Sequence, residues 1–114
     1  MKQTLLDKLN AFLLKNGFTI KNLTRTCFDI LARKKEQILL VKVLEDANSV
    51  SRQSTEEMVA VASYINASPL IIAEKAGNKL EDNIVYSRFG IYTLNFSTLL
   101  NCINNKFPFI KRSH

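Results

Sequence analysis

Two apolar runs joined by a charged turn constrain this chain more than any other feature of its sequence. The runs cover 28–32 and 38–44, and the turn between them is Arg-Lys-Lys-Glu-Gln at 33–37. Period-two spacing on both sides of a short polar turn predicts a β-hairpin, and the second run, apolar on both faces, is typical of a central strand. Each run nevertheless contains one ionic residue, Asp29 in the first and Lys42 in the second.

The two ionic residues are predicted to face each other across the hairpin. If the turn is centred between Lys35 and Glu36, Asp29 lies directly opposite Lys42. Leu40 then shares a face with Lys42, about 6.6 Å away along the strand, because side chains alternate between the two faces of a sheet. The sequence therefore predicts one patch that contains Asp29, Leu40 and Lys42.

Length and composition restrict the class of protein. A chain of 114 residues, 46% hydrophobic and 23% charged, is typical of one globular domain, so we expect residues 1–114 to form a single domain. Its apolar runs are shorter than the roughly 20 residues that span a bilayer, and we expect a cytoplasmic protein with no membrane partner. Cys27, Cys102 and the single histidine, His114, lack the spacing of zinc ligands, so the cysteines are expected to be reduced, packed thiols.

The positive charge of the chain is unevenly distributed. The formal net charge is +6, with nine Lys and Arg against five Asp and Glu in residues 1–46, and four against none in 84–114. Lysine and arginine release counterions when they contact phosphates, so this imbalance favours a polyanionic partner. A charged face that is merely solvated is the alternative.

An amphipathic helix and a strand are predicted before the hairpin, and a second helix after it. Apolar residues recur at helical spacing over 5–13, Gly17 marks the end of that helix, and 18–23 alternates as a strand does. The tetrad Ser54-Thr-Glu-Glu57 fits a capping box, in which Ser54 and Glu57 satisfy reciprocal backbone donors at the start of the second helix.

The second half of the chain predicts further strands and a last helix. A strand over 69–73 begins with proline, short strands follow at 84–86 and 91–94, and Asn95 is a candidate N-cap. A helix between two strands favours a crossover between parallel neighbours. The predicted class is α/β, with an α-β-β-β-α-β core and a C-terminal β-β-α addition, and no fold is predicted for 107–114.

The patch on the hairpin has the residue types of a metal-dependent nuclease. Such enzymes hold a divalent cation between two carboxylates, beside a lysine that helps to activate the attacking water. The segments Phe28-Asp-Ile-Leu-Ala32 and Leu40-Val-Lys42 resemble the PD-(D/E)XK nuclease superfamily, and within it the archaeal Holliday-junction resolvases, over roughly residues 2–74. The resemblance implies a restriction-endonuclease-like three-layer core, with Asp29 and Lys42 as remnants of the catalytic site.

One departure from the family pattern argues against catalysis. Leu40 stands where the second carboxylate belongs, and a leucine cannot coordinate a hard cation. Asp46 has the right strand parity but lies about 13 Å beyond Lys42. The remaining substitutes are Glu56, Glu57 and Asp7. We therefore expect no enzyme activity and no cofactor; Mg²⁺ or Mn²⁺, held by Asp29, would enter only in an active nuclease, and a cross-strand ion pair is the other role for Asp29 and Lys42.

Several dispersed segments carry a second resemblance that covers more of the chain. They are Ser54-Thr-Glu-Glu-Met58, Ser68-Pro-Leu-Ile-Ile72, Leu80-Glu-Asp82, Val85-Tyr-Ser-Arg-Phe-Gly-Ile91 and Leu94-Asn95. Together they look like the N-terminal nuclease-like domain of archaeal helix-turn-helix (Cro-type) transcriptional regulators. The resemblance implies either the N-terminal part of a longer regulator or a short stand-alone relative.

The expected function is that of a non-catalytic domain of a DNA-binding regulator, which contacts the DNA backbone, dimerises, or does both. The expected partners are DNA and a second copy of the chain, with no small-molecule substrate. The residues expected to contact DNA are Lys21, Arg25, Arg33, Lys34 and Lys35. Two alternatives stay open: a metal-dependent, structure-specific endonuclease similar to the resolvases, and an assembly domain. The assembly domain would use an aromatic patch of Tyr86, Phe89, Tyr92 and Phe107, unless these residues belong to the core.

Overall fold

The computed structural model describes residues 2–23, 27–103 and 109–112. The helices are α1 (Lys2–Lys15), α2 (Arg52–Ile65) and α3 (Phe96–Ile103), and a 3-10 turn covers Ala47–Ser49. The strands are β1 (Thr19–Asn22), β2 (Ile30–Lys34), β3 (Gln37–Asp46), β4 (Ser68–Ala76), β5 (Asn78–Lys79), β6 (Ile84–Arg88), β7 (Ile91–Leu94) and β8 (Phe109–Arg112). Within these ranges no helix is both long enough and apolar enough to cross a bilayer.

One mixed sheet joins all the described strands. Its order is β1-β2-β3-β4-β7-β6-β8, and β5 pairs with β4 as a side branch. Strands β1, β2 and β3 form an antiparallel meander, and β3 and β4 are parallel. The helix α2 makes the crossover between β3 and β4, as the sequence predicted. The predicted α/β class, with its α-β-β-β-α-β core and β-β-α addition, is confirmed.

Two apolar clusters divide the molecule into three layers. On the first face of the sheet, α1 and α3 pack over Val41 and Ile72. On the second face, α2 packs over Leu40 and Ile71. The alternation of β3 explains the division, because its odd-numbered residues enter one cluster and Leu40 enters the other. Strand β3 is therefore buried on both sides, which is the central position that its apolar sequence predicted.

The first helix and the hairpin follow their predicted patterns. Leu5, Leu9 and Leu13 are buried along one stripe of α1, and Gly17 has a φ of +87° just after the helix ends. The hairpin turn is tighter than predicted, because Lys34 pairs with Gln37. The strands extend into the charged segment, where side chains at 33–37 remain exposed while their backbone groups pair.

The predicted capping box of α2 is wrong. The N-cap is Ser51, whose Oγ accepts a hydrogen bond from the Ser54 backbone N–H at 3.0 Å. Thr55 is fully buried in the first turn, so the inward face of the helix begins there and the helix must start before it. Ser54 consequently lies inside the helix, and Glu57 is one turn too deep to act as a capping residue.

The C-terminal elements agree with the prediction except in the tail. The side-chain Oδ1 of Asn95 accepts from the Thr98 backbone N–H at 2.9 Å, so Asn95 caps α3 as predicted. Residues 109–112, for which no fold was predicted, form β8 beside β6. An otherwise unpaired edge of β6 offers backbone donors and acceptors, and β8 satisfies them. The short strand β5 likewise has no counterpart among the predicted strands.

Candidate nucleic-acid interface

The hairpin register brings Asp29 and Lys42 together. Ile30 pairs with Val41, and the same register places Asp29 opposite Lys42. The Lys42 Nζ lies 3.9 Å from the Asp29 Oδ2, and the two side chains are 19% and 15% exposed. The predicted cross-strand pair is therefore present, at the boundary between the second-face cluster and solvent.

The Asp29 carboxylate also belongs to the backbone pairing of the sheet. Its Oδ2 accepts a hydrogen bond from the Val43 N–H at 2.7 Å. The Asp29 N–H donates to the Val41 carbonyl at 2.9 Å, which extends the β2–β3 ladder by one residue. An oxygen that a metal-binding aspartate would present to the ion is here an acceptor for the main chain.

Leu40 fills the position of the missing carboxylate with apolar packing. Its side chain is 2% exposed and lies in the cluster that contains Met58, Ala62 and Ile71. A carboxylate at this position would lose its hydration beneath α2 without gaining a polar partner. The position at which the family has its second carboxylate is therefore part of the apolar core on the second face.

Three of the four alternative carboxylates do not complete the site. Asp46 Oδ1 accepts from the backbone N–H groups of Asn48 at 2.8 Å and Gly77 at 3.2 Å. Asp7 lies on α1, which packs on the first face, and accepts from the Gln3 side chain. Glu56 is exposed on α2. Asp46 therefore holds local backbone, and Asp7 lies on the opposite side of the sheet from Lys42.

Glu57, one of the substitute carboxylates named from the sequence, acts electrostatically on the Cys27 thiol beside the patch. Burial is the largest cause that raises the pKa of the Cys27 thiol; the charge of Glu57 raises it further, while a backbone hydrogen bond and the charge of Lys42 lower it. Glu57 and Lys42 thus act electrostatically on one thiol. The sequence also assigned Glu57 to a capping box, and the observed start of α2, with Ser51 as N-cap, removes that second role.

The described residues do not fit a metal ion. No group of three His, Cys, Asp or Glu side chains within 2–23, 27–103 and 109–112 has the arrangement of a metal site. Both cysteines are free thiols, and burial raises the pKa of Cys102 as well. Asp29 is engaged with the backbone and Leu40 is apolar, so the donor set of a PD-(D/E)XK nuclease is not assembled here.

The structure divides the predicted DNA-contacting residues between two faces. Lys21 pairs with Leu31, which pairs with Leu40, so Lys21 shares the second face with Lys42. Arg33 follows Leu31 by two residues and lies on that face too. Both side chains are exposed.

Lys34 belongs to the first face instead. Its Nζ lies 5.7 Å above the centre of the Phe18 ring, a cation–π contact at the edge of α1. Lys35 is exposed in the turn, and its carbonyl accepts from the Arg33 Nε at 3.2 Å. Arg25 lies outside the described residues. The structure thus separates Lys34 from Lys21 and Arg33, which share the side of the sheet that carries Lys42, and Lys35 lies in the turn at the end of the hairpin.

The predicted aromatic patch is not a single surface either. Tyr86 pairs with Thr93, whereas Tyr92 pairs with Leu70, so the two tyrosines point to opposite faces. Tyr86 packs against the second-face cluster, and Phe89, 46% exposed, contacts the guanidinium of Arg52. Phe107 lies outside the described residues.

The fold and the hairpin geometry together define a nuclease-like α/β domain. A sequence model described as a PD-(D/E)XK superfamily domain matches residues 2–108. The chain belongs to the PD-(D/E)XK superfamily.

Curated relatives match most of this chain but are much longer. A Methanococcus vannielii protein named "Putative HTH-type transcriptional regulatory protein" is 36% identical over 100 residues, which cover 86% of this chain and 31% of that protein. A Picrophilus torridus protein with the same description is 34% identical over 113 residues, covering 96% of this chain and 36% of its own. The chain spans about a third of the length of these relatives.

A solved structure shares the fold. The structure of Archaeoglobus fulgidus Hjc, described as a Holliday junction resolvase from an archaeal hyperthermophile, matches with a TM-score of 0.54 and 20% sequence identity. The match covers 65% of this chain and 64% of that one. At this identity the match shows a common fold and leaves the chemistry to be argued from the residues.

Proposed function

We propose that this chain is a non-cutting PD-(D/E)XK domain that binds the DNA backbone as part of a cytoplasmic transcriptional regulator. The observation that carries the proposal is the burial of Leu40 at the position of the second metal-binding carboxylate, beside a basic face that remains exposed. The names of the relatives support the regulatory context.

The basic face supplies the binding chemistry. Lys21, Arg33 and Lys35 are exposed around the hairpin. Glu36, also exposed, is the one acid of the 33–37 segment, and Asp29 pairs with Lys42. Ammonium and guanidinium groups that contact phosphates release condensed counterions, and this term does not depend on base sequence. The domain would then contribute affinity and leave sequence recognition to another part of the regulator.

Charge removal on the basic face tests the proposal. The variant Lys21→Gln/Arg33→Gln should bind duplex DNA about tenfold more weakly at low salt. The slope of log K against log salt should fall in magnitude by about 2, because each lost phosphate contact lowers that slope by about 0.9. The measurement is a fluorescence titration at several salt concentrations.

A matched control removes the same charge from the first face. Lys15→Gln/Lys34→Gln takes two positive charges from the side of the sheet covered by α1, and should leave the slope close to that of the unmodified chain. Equal losses of DNA affinity in the two double variants would show that binding depends on net charge and not on the face that carries the charge. Absence of any DNA binding by the unmodified chain at low salt would refute the proposal.

Self-association forms the second part of the proposal. Three residues on one face of α2 expose apolar surface: Val61 is 42% exposed, Tyr64 92% and Ile65 38%. We expect a homodimer that buries these side chains, since removal of apolar surface from water favours association. Light scattering should give the mass of two chains, and the variant Tyr64→Glu should give the mass of one; a monomeric unmodified chain would contradict this part.

An endonuclease is the alternative, and one observation favours it. Glu57 and Lys42 both act electrostatically on the Cys27 thiol. The Glu57 carboxylate of α2 therefore lies on the side of the sheet that carries Asp29 and Lys42. In this alternative Asp29, Glu57 and Lys42 would form the cutting site, and Asp29→Asn would abolish cleavage. The hydrogen bond from Val43 to Asp29 argues against it.

A further inference from the structure

We propose that the β4–β5 hairpin holds a backbone phosphate of the bound nucleic acid between Lys75 and Lys79. This inference rests on the proposed function and extends it to a segment that the sequence pattern did not single out. The hairpin is tight, since Ala76 pairs with Asn78 around Gly77, which has a φ of +79°.

The two lysines are directly opposed on this hairpin. Lys75 pairs with Lys79, and both side chains are exposed. The Leu80 N–H donates to the Glu74 carbonyl at 2.9 Å, so the adjacent lysine pair is the non-hydrogen-bonded kind, in which opposed side chains approach most closely. Like charges in that position repel and destabilise a hairpin.

No ion pair relieves this repulsion within the part of the chain that the structure describes. Among the described residues, neither lysine has a carboxylate oxygen within 4.0 Å of its ammonium group. Asp46 is the register partner of Lys75, but its carboxylate accepts from the Gly77 N–H, at 3.2 and 3.3 Å, and from the Asn48 N–H. Asp46 therefore fixes the tip of the hairpin in place. A phosphate, with acceptor oxygens for both ammonium groups, would replace repulsion with two charge-assisted hydrogen bonds.

The hairpin lies on the same side of the sheet as the basic face, at the opposite end of β3. Lys42 and Asp46 lie on the same side of β3, and the pairing of Asp46 with Lys75 puts Lys75 on that side. Four residues separate Lys42 from the level of Lys75, which is about 13 Å along the strands. Arg33 is level with Ile38, eight residues before Asp46 on β3, so about 26 Å separates it from the level of Lys75 along the strands. A DNA segment that contacts both Arg33 and the hairpin would have to span that distance past α2, which packs on the same side of the sheet.

The variant Lys75→Gln/Lys79→Gln tests the inference with two readouts of opposite sign. We expect DNA affinity to fall about tenfold and the salt slope to fall in magnitude by about 2. We also expect Tm to rise by about 2 °C, because the like-charge pair is removed. Lys75→Arg/Lys79→Arg, which keeps both charges, should retain the affinity, and Lys15→Gln/Lys34→Gln is the control for net charge.

The outcomes separate this inference from the proposed function. If the unmodified chain binds DNA and the hairpin variant behaves like the control, the inference is wrong while the proposed function stands. A variant that loses both affinity and thermal stability would show that the lysines support the fold, which also overturns the inference. No binding by the unmodified chain would refute both.

Discussion

Replacing Leu40 with glutamate is expected to lower the free energy of unfolding by about 4 kcal/mol and not to create a metal site. Glutamate at position 40 would restore the carboxylate that the family pattern has there. If the site had lost only this ligand, the variant would bind a metal ion again. Leu40 is 2% exposed beneath α2, however, and the structure surrounds it with apolar side chains. A carboxylate there would be desolvated without a partner.

Urea denaturation measures the loss of stability, and Leu40→Met is its matched control. Methionine nearly conserves the side-chain volume and should cost less than about 1.5 kcal/mol. Manganese added to Leu40→Glu should leave its unfolding transition unchanged. A glutamate variant as stable as the methionine variant, or one that manganese stabilises, would contradict the conclusion that the core has absorbed this position.

Removal of the Asp29 carboxylate is expected to lower the free energy of unfolding by about 2 kcal/mol in Asp29→Ala. The Val43 N–H would lose its acceptor at 2.7 Å, and Lys42 would keep a half-buried ammonium without its partner. The loss would identify Asp29 as a structural residue of the hairpin.

Asp29→Asn separates the hydrogen bond from the charge. The amide oxygen can still accept from Val43, so we expect a loss below about 1 kcal/mol if the backbone contact dominates. The measurement is again urea denaturation, with Asp7→Ala as a control carboxylate on the exposed side of α1. Equal losses for Asp29→Asn and Asp29→Ala would instead assign the stability to the ion pair with Lys42.

The hairpin was predictable from sequence because its information is local. Strand alternation and the centre of a short turn fix which residues face each other, so the pairing of Asp29 with Lys42 followed from their numbers. The same parity could have separated Lys34 from Lys21 and Arg33. Composition alone grouped all of them as basic, and the register shows that they occupy two faces.

The features that the sequence did not predict depend on a choice between two similar capping residues or on pairing between strands that are distant in the chain. Ser51 and Ser54 are both good N-caps, and the burial of Thr55 decides between them. Strand β8 forms because β6 offers an edge, which the sequence of either strand cannot specify. The opposed lysines of the β4–β5 hairpin were missed because the predicted strand ended at 73, before the tight turn at Gly77.

The position of Leu40 links the fold to the function proposed for it. The superfamily core is retained, the hairpin keeps Asp29 and Lys42, and the second carboxylate is replaced by a core leucine. Under the proposed function, such a domain would bind the DNA backbone through its exposed basic residues, while Leu40 contributes to the stability of the core.

Incubation of the chain with a labelled four-way DNA junction, in magnesium or manganese, tests whether the domain binds DNA without cutting it. Native gels measure binding and denaturing gels measure strand cleavage in the same samples. We expect a salt-sensitive complex in which every DNA strand remains intact at all metal concentrations. Cleavage that disappears in Asp29→Asn would contradict the account and establish the endonuclease alternative.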